Sequence, residues 1–334
     1  MIDNEIFHDF NNIFPKYIRD DFLFSLENYR LFLNGLSIDP IFFFEKWSNF
    51  DRQSLIEKYW NKNTKSDWKW ALTFPLFTLL EKYIESNKNP KIIGFSGLPG
   101  SGKSTLGFWI DNVAKDLTLD IKVISLDDFY LPGDEMDIAM NGNPWNVPRG
   151  FPGSHSVELL YKSLDDFIQT GVLSYPTFDK SLRDGKGDRS GWSESKQKVI
   201  ILEGWFVGCE PISNLNQIDN LSNDEFNLSL SSIEKDYRRY IQESLIKYSK
   251  IWKKFDKIWH LKSTKFNNTI QWKTQQEDEM IKLKGSGLKD NRLTDFIRMI
   301  QASIPQQSLS CIKSDTTIEI NQARRINNLY TNAY

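Results

Sequence analysis

The chain has 334 residues, of which 40% are hydrophobic and 26% charged, the make-up of an ordinary globular protein long enough for one large domain with an appendage. Lys and Arg (42) nearly balance Asp and Glu (44), and a net charge of -2 argues against nucleic acid as the principal partner. Two cysteines far apart, Cys209 and Cys311, suggest neither a zinc site nor a redox pair and fit a reducing, cytoplasmic setting, while no apolar run approaches the roughly 20 residues of a membrane span.

The first residues, Met1 to His8, carry acids where a signal peptide needs bases. Residues 1–90 then read as a helical, aromatic-rich region packed on the rest of the chain. Phe22, Leu23, Leu26, Tyr29 and Leu33 recur at helical spacing, as do Trp68, Ala71, Leu72, Leu76, Leu79, Leu80 and Tyr83, with Pro75 a candidate kink. A polar stretch at 85–90 marks a boundary, and residues 91–334 form a second unit. Its period changes: strands are expected at 91–96, 121–126, 198–202 and 257–261, and helices at 104–119, 157–170, 232–255, 272–284 and 292–302. Strands alternating with helices predict an α/β fold with a mainly parallel sheet flanked by helices. Residues 132–154, 176–195 and 209–231 are rich in Gly, Pro, Asn or charge and read as long loops, two of them candidate lids or binding loops.

Gly97, Leu98, Pro99, Gly100, Ser101, Gly102, Lys103, Ser104 and Thr105 fit G-x4-G-K-[ST] between a strand and a helix. The glycines let backbone N–H groups surround phosphate oxygens, Lys103 reaches the β- and γ-phosphates, and the Ser104 hydroxyl suits Mg2+. This is a P-loop fold with ATP as ligand. Asp127 and Asp128 stand at the end of the second strand, where parallel sheets place their ligands. One carboxylate there would accept a proton from a substrate hydroxyl, Asp127 for preference, with Asp128 as a cap. Glu203 ends the third apolar strand, the layout of a carboxylate facing a metal beside a P-loop. The loop containing Lys180, Arg183, Lys186 and Arg189 reads equally as a lid over anionic groups and as a solvated charge run. Arg149 could clamp a carboxylate and His155 could donate to the same group, although a lone His is more often structural.

Taken in order, the P-loop, Asp127-Asp-Phe-Tyr130, Gly150-Phe-Pro-Gly-Ser-His155 and Glu203-Gly204 resemble the phosphoribulokinase, uridine kinase and pantothenate kinase superfamily. Phe178-Asp-Lys-Ser181, Gly185-Lys-Gly-Asp-Arg189, Leu202-Glu-Gly-Trp-Phe-Val-Gly208 and Trp272-Lys-Thr-Gln-Gln-Glu277 are similar to D-glycerate 3-kinases of plants and cyanobacteria. Lys273 departs from the Arg of that family's segment, and residues 303–308 depart from its aromatic C-terminal turn. The resemblance covers about residues 91–305. It implies an ATP- and Mg2+-dependent phosphorylation of D-glycerate to 3-phosphoglycerate, with Asp127 as general base and Lys103 stabilising transferred charge. Ser104 and Glu203 would hold the metal, Arg149, His155 and Lys180 would contact substrate, and Arg183 and Arg189 would reach the nucleotide. Recovery of photorespiratory glycerate is the metabolic setting it implies. Another acceptor, nucleoside or pantothenate, and an ATP-binding regulatory protein are the competing readings.

Overall fold

The apolar runs expected as strands at 91–96 and 198–202 are buried on both faces along nearly their whole length in the computed structural model, which describes residues 13–60, 64–86, 89–212, 218, 229–284 and 287–332. Strand β1 (Lys91–Gly97) lies between β5 (Val199–Gly204) and β6 (Lys257–Ser263), and β2 (Ile121–Ser125) lies outside β5. Beyond β6 come β7 (Thr316–Ile320) and β8 (Ile326–Thr331), giving the order β2-β5-β1-β6-β7-β8. All neighbours are parallel except β7 and β8.

Successive side chains alternate across the sheet, and each face has its own core. Ile93, Phe95, Val199 and Ile201 face one way, where they meet helices from residues 26–85 and helix α5 (Lys103–Asp116). Ile92, Ile200 and Leu202 face the other way, where α7 (Val157–Thr170), α8 (Ser232–Trp252) and α10 (Asp290–Ser303) cover them. The helical region at the start of the chain is thus one of the layers that bury the sheet.

That region contains α1 (Leu26–Gly35), α2 (Pro40–Ser48), α3 (Phe50–Glu57) and α4 (Phe74–Glu85). Phe22 and Leu23, expected in a helix, precede it: the Ser25 side chain accepts from the Asn28 N–H at 3.1 Å and fixes the helix start at Leu26. Pro75 makes no sharp break. A wider π-type turn at Lys69–Thr73 precedes it and absorbs the N–H that proline lacks. Asn28 also pairs with the edge strand, its amide donating to the Leu329 carbonyl (2.8 Å) and accepting from the Leu329 N–H (3.2 Å). One side chain so substitutes for part of a missing neighbour strand.

Three expectations need correction. Residues 176–195 are not an irregular loop: β3 (Val172–Asp179) and β4 (Asp188–Lys196) form an antiparallel hairpin outside the main sheet. β4 is exposed on much of both sides, so no apolar alternation betrays it. The stretch at 132–154 includes α6 (Gly133–Met140). The two C-terminal strands were not anticipated, although Thr316, Ile318 and Ile320 alternate as buried residues. Helix α9 (Asn268–Lys284) and the short α11 (Gln306–Ser310) complete the elements used below. Met1 to His8, residues 87–88 of the boundary, and most of 209–231 lie outside the described residues. No described helix is long and apolar enough to cross a membrane.

The two ends of the chain meet at Asp67. Its carboxylate, fully buried, accepts from Arg325 Nε at 2.7 Å and from the Ile326 N–H at 3.0 Å. Asp67→Ala would strand both donors and is expected to cost about 3 kcal/mol in urea unfolding, with Asp67→Asn costing less because one acceptor remains. A loss near zero would mean that this contact does not tie the two segments together.

Candidate active site

The P-loop turns from the end of β1 into α5 through two residues with positive φ, Gly100 (75°) and Gly102 (105°). Side chains are excluded there for a second reason. A Cβ on Gly100 would lie 2.7 Å from the Trp272 backbone, and one on Gly102 2.9 Å from the Trp68 ring. Two loop carbonyls are engaged from outside: Thr269 Oγ1 donates to Pro99 O at 2.9 Å and Arg324 Nε to Gly100 O at 2.8 Å. Carbonyls held this way cannot turn their negative ends toward an anion.

A cavity of about 490 Å³ opens over this loop. Glu203, 8% exposed, ends β5 between the ends of β1 and β2. The Ser104 hydroxyl donates to its Oε1 at 2.8 Å, and Lys103 Nζ stands 3.9 Å from Oε2. A hydroxyl and a carboxylate oxygen this close form a hard-oxygen pair of the kind Mg2+ accepts when phosphates supply further ligands.

Asp127 and Asp128 follow β2 in a single 3-10 turn, Leu126–Phe129, capped at Ser125. Asp128 accepts from the Ser125 N–H at 3.1 Å and so serves as the cap. Asp127 lines the cavity and pairs with Lys180 Nζ at 2.6 Å. Burial alone would raise the Asp127 pKa, but the Lys180 ammonium, His155 and a Tyr130 hydrogen bond hold it well below the usual carboxylate range. Asp128 goes the other way: burial, together with the charges of Asp127 and Glu203, pushes it up to about 6 against the Ser125 hydrogen bond.

Three further cations of the β3–β4 hairpin, Arg183, Lys186 and Arg189, are tied to protein groups. Arg183 pairs with Asp137, and Lys186 reaches the same carboxylate at 3.5 Å. Arg189 donates to Tyr130 O (3.2 Å) and Ser156 Oγ (2.7 Å). Arg149 donates to Gly185 O at 3.0 Å and to Lys186 O, with its guanidinium 5.5 Å from the Phe178 ring centre. These contacts hold the hairpin tip over the 127–155 segment. Arg149, Arg183 and Arg189 do not themselves line the cavity, and neither does His155. The His155 ring stacks on Tyr130 at 4.4 Å, and its Nδ1 meets the Tyr248 hydroxyl at 2.9 Å. Burial pushes its pKa down to about 4 despite the pull of Asp127, so it is a neutral imidazole near pH 7.

Sequence reasoning did not place Trp60, Trp68 or Arg324 in the site, and it named Lys273 only as a departure from a family segment. All four line the cavity. Lys273 is only 12% exposed, pairs with Glu277 and lies 4.8 Å from the Phe296 ring centre. Burial draws its ammonium below the ordinary range, and its electrostatic neighbours include Lys180 and Asp127.

An ionised Asp128 raises the proton affinity of Asp127 beside it. The kcat profile is therefore expected to fall on the acid side with an inflection near pH 6, where Asp128 takes up a proton. Asp128→Asn keeps the capping oxygen and should abolish that inflection; a pH profile unchanged in the variant would assign it elsewhere.

No protein-family model matches the chain. It is similar to the uncharacterized kinase mug58 of Schizosaccharomyces pombe, 31% identical over 234 residues that span 66% of this chain and 82% of that protein. It is 29% identical to the chloroplastic D-glycerate 3-kinase of Arabidopsis thaliana over 62% of this chain and 45% of that protein. Its fold matches the solved D-glycerate 3-kinase of Cryptococcus neoformans with a TM-score of 0.62 at 22% identity, covering 84% of this chain and 96% of that one. With its P-loop and parallel sheet, the chain belongs with mug58 to a family of P-loop small-molecule kinases, and a D-glycerate 3-kinase is among its relatives.

Proposed function

We propose that this kinase transfers the γ-phosphoryl group of ATP to the 3-hydroxyl of D-glycerate. The observation that carries the reading is the Asp127–Lys180 pair, set at the end of the cavity that also holds Lys103, Ser104 and Glu203. In-line transfer needs a proton acceptor for the attacking hydroxyl and cations around the transferring group. Asp127 takes the hydroxyl proton as oxygen attacks phosphorus. Lys103, with Lys180 released from Asp127, offsets charge on the phosphoryl oxygens. Ser104 and Glu203 would hold Mg2+, which when bound neutralises charge on the β- and γ-phosphates.

The acceptor end favours a small anion. Arg149 and His155 were the first expectation for its carboxylate, but Arg149 is committed to two lid carbonyls and His155 is neutral behind Tyr130. The cations that line this end are Lys180 and Lys273, and the similarity to D-glycerate 3-kinases supports glycerate as the acid they receive.

ADP release with Mg-ATP should be confined to D-glycerate in a panel with L-glycerate, uridine, pantothenate and no acceptor, and NMR should identify 3-phosphoglycerate. Turnover of another acceptor would move the substrate, and silence with all of them despite ATP binding would favour a regulatory protein. Lys103→Ala and Asp127→Asn are each expected to lower kcat by about two decades or more; near-normal turnover in either would reject its role. Lys273→Met, close in volume, should raise the acceptor KM roughly tenfold or more and leave the KM for ATP in place.

A further inference from the structure

The kinase reading assigns one end of the cavity and leaves the other bare. Lys103, Ser104 and Glu203 mark the γ-phosphate side, and Asp127 lies beyond it where the acceptor must stand for in-line attack. The α-phosphate and the nucleoside therefore leave the P-loop in the opposite direction. The cavity wall on that side comes from neither the P-loop nor the main sheet. It consists of Trp60, Thr64, Lys65 and Trp68 from the N-terminal region, with Arg324 from the turn between β7 and β8.

We infer that this wall is the nucleoside subsite, taking the purine base of ATP against the indoles of Trp60 and Trp68 beside the Arg324 guanidinium. The proposal rests on the kinase reading and adds to it a subsite built jointly by the first and last parts of the chain. Three observations support it. First, the Trp68 ring is fixed relative to the phosphate cradle. It is 8% exposed, packs where a side chain on Gly102 would sit, and donates its indole N–H to Arg324 O. Second, the Trp60 ring lines the cavity and is held there against Trp109 of α5, with the ring centres 5.5 Å apart. Third, Arg324 is held rigidly by Gly100 O, by Gln275 Oε1 at 3.1 Å and by the Trp272 ring 5.5 Å away, in a backbone with φ 56° that few residues adopt. Indole rings and a guanidinium plane are the groups that hold a purine by stacking and cation–π attraction.

The experiment compares ATP with inorganic tripolyphosphate, which has the phosphates and no base, in calorimetric titrations of the full chain with Mg2+. The wild type should bind ATP at least about tenfold more tightly than tripolyphosphate, the scale of one stacked base. Trp60→Leu should remove most of that preference while leaving the tripolyphosphate Kd within about twofold, which also reports that the P-loop remains folded. Trp60→Phe, which keeps a ring, should retain much of it. Tryptophan fluorescence of the wild type should be quenched by ATP and not by tripolyphosphate. Parallel weakening for both ligands would make Trp60 a support of the loop and overturn the proposal, as would unchanged ATP affinity in Trp60→Leu. Equal wild-type affinity for the two ligands would overturn it while leaving the kinase reading intact; binding of neither would overturn both.

Discussion

A parallel sheet with apolar side chains on both faces must be covered twice, and much of this molecule follows from that requirement. β5 is buried at every position and β1 at all but its first. The crossover helix α5 covers part of one face only, and the aromatic helices of residues 26–85 fill the rest. Trp47 stacks on Phe74 at 4.4 Å, and Phe77 meets Trp109 of α5 at 5.7 Å. Such rings bury large areas with few rotatable bonds, so they make a stiff layer. Its stiffness matters because Trp68 ends on the P-loop itself.

The other half of the site is governed by charge. Asp127 is held ionised by Lys180, and a carboxylate so stabilised is a poor proton acceptor. The Lys180 side chain is 58% exposed, however, so water and competing anions screen the pair. In the proposed reaction an arriving phosphoryl group can share the ammonium, and Asp127 then regains basicity for the hydroxyl proton. Neighbouring Asp128 pushes in the same direction whenever it is ionised. Base strength is thereby coupled to occupancy of the phosphate position, without any rearrangement of the backbone around Asp127.

What could be read from the sequence was what the chain keeps local. The strand–turn–helix around Lys103, the acid ending β5 and the two carboxylates after β2 each carry their context in adjacent residues. Asp128 could be expected as a cap because Ser125 precedes it by three positions. The β3–β4 hairpin escaped notice because Gly185, Gly187 and Gly191 punctuate it and β4 has no apolar face. Trp68 lies about 200 positions or more from Lys273 and Arg324, which are themselves about 50 apart; the three meet only in the folded chain, and no spacing rule links them. The fate of Arg149 was illegible for a related reason: its partners are backbone carbonyls, which every residue possesses.

The contact between Asp67 and Arg325 joins residues 258 positions apart, and Asn28 reaches Leu329 across 301. Pairings of such separation form late, after the intervening loop has been closed. During translation the strand β1, the P-loop and α5 are present long before the turn that carries Arg324 to Gly100. A nascent chain therefore exposes a phosphate loop with one carbonyl still unheld and the apolar N-terminal layer only partly seated. The complete phosphate cradle thus forms only once the turn between β7 and β8 has been synthesised and has docked on the P-loop.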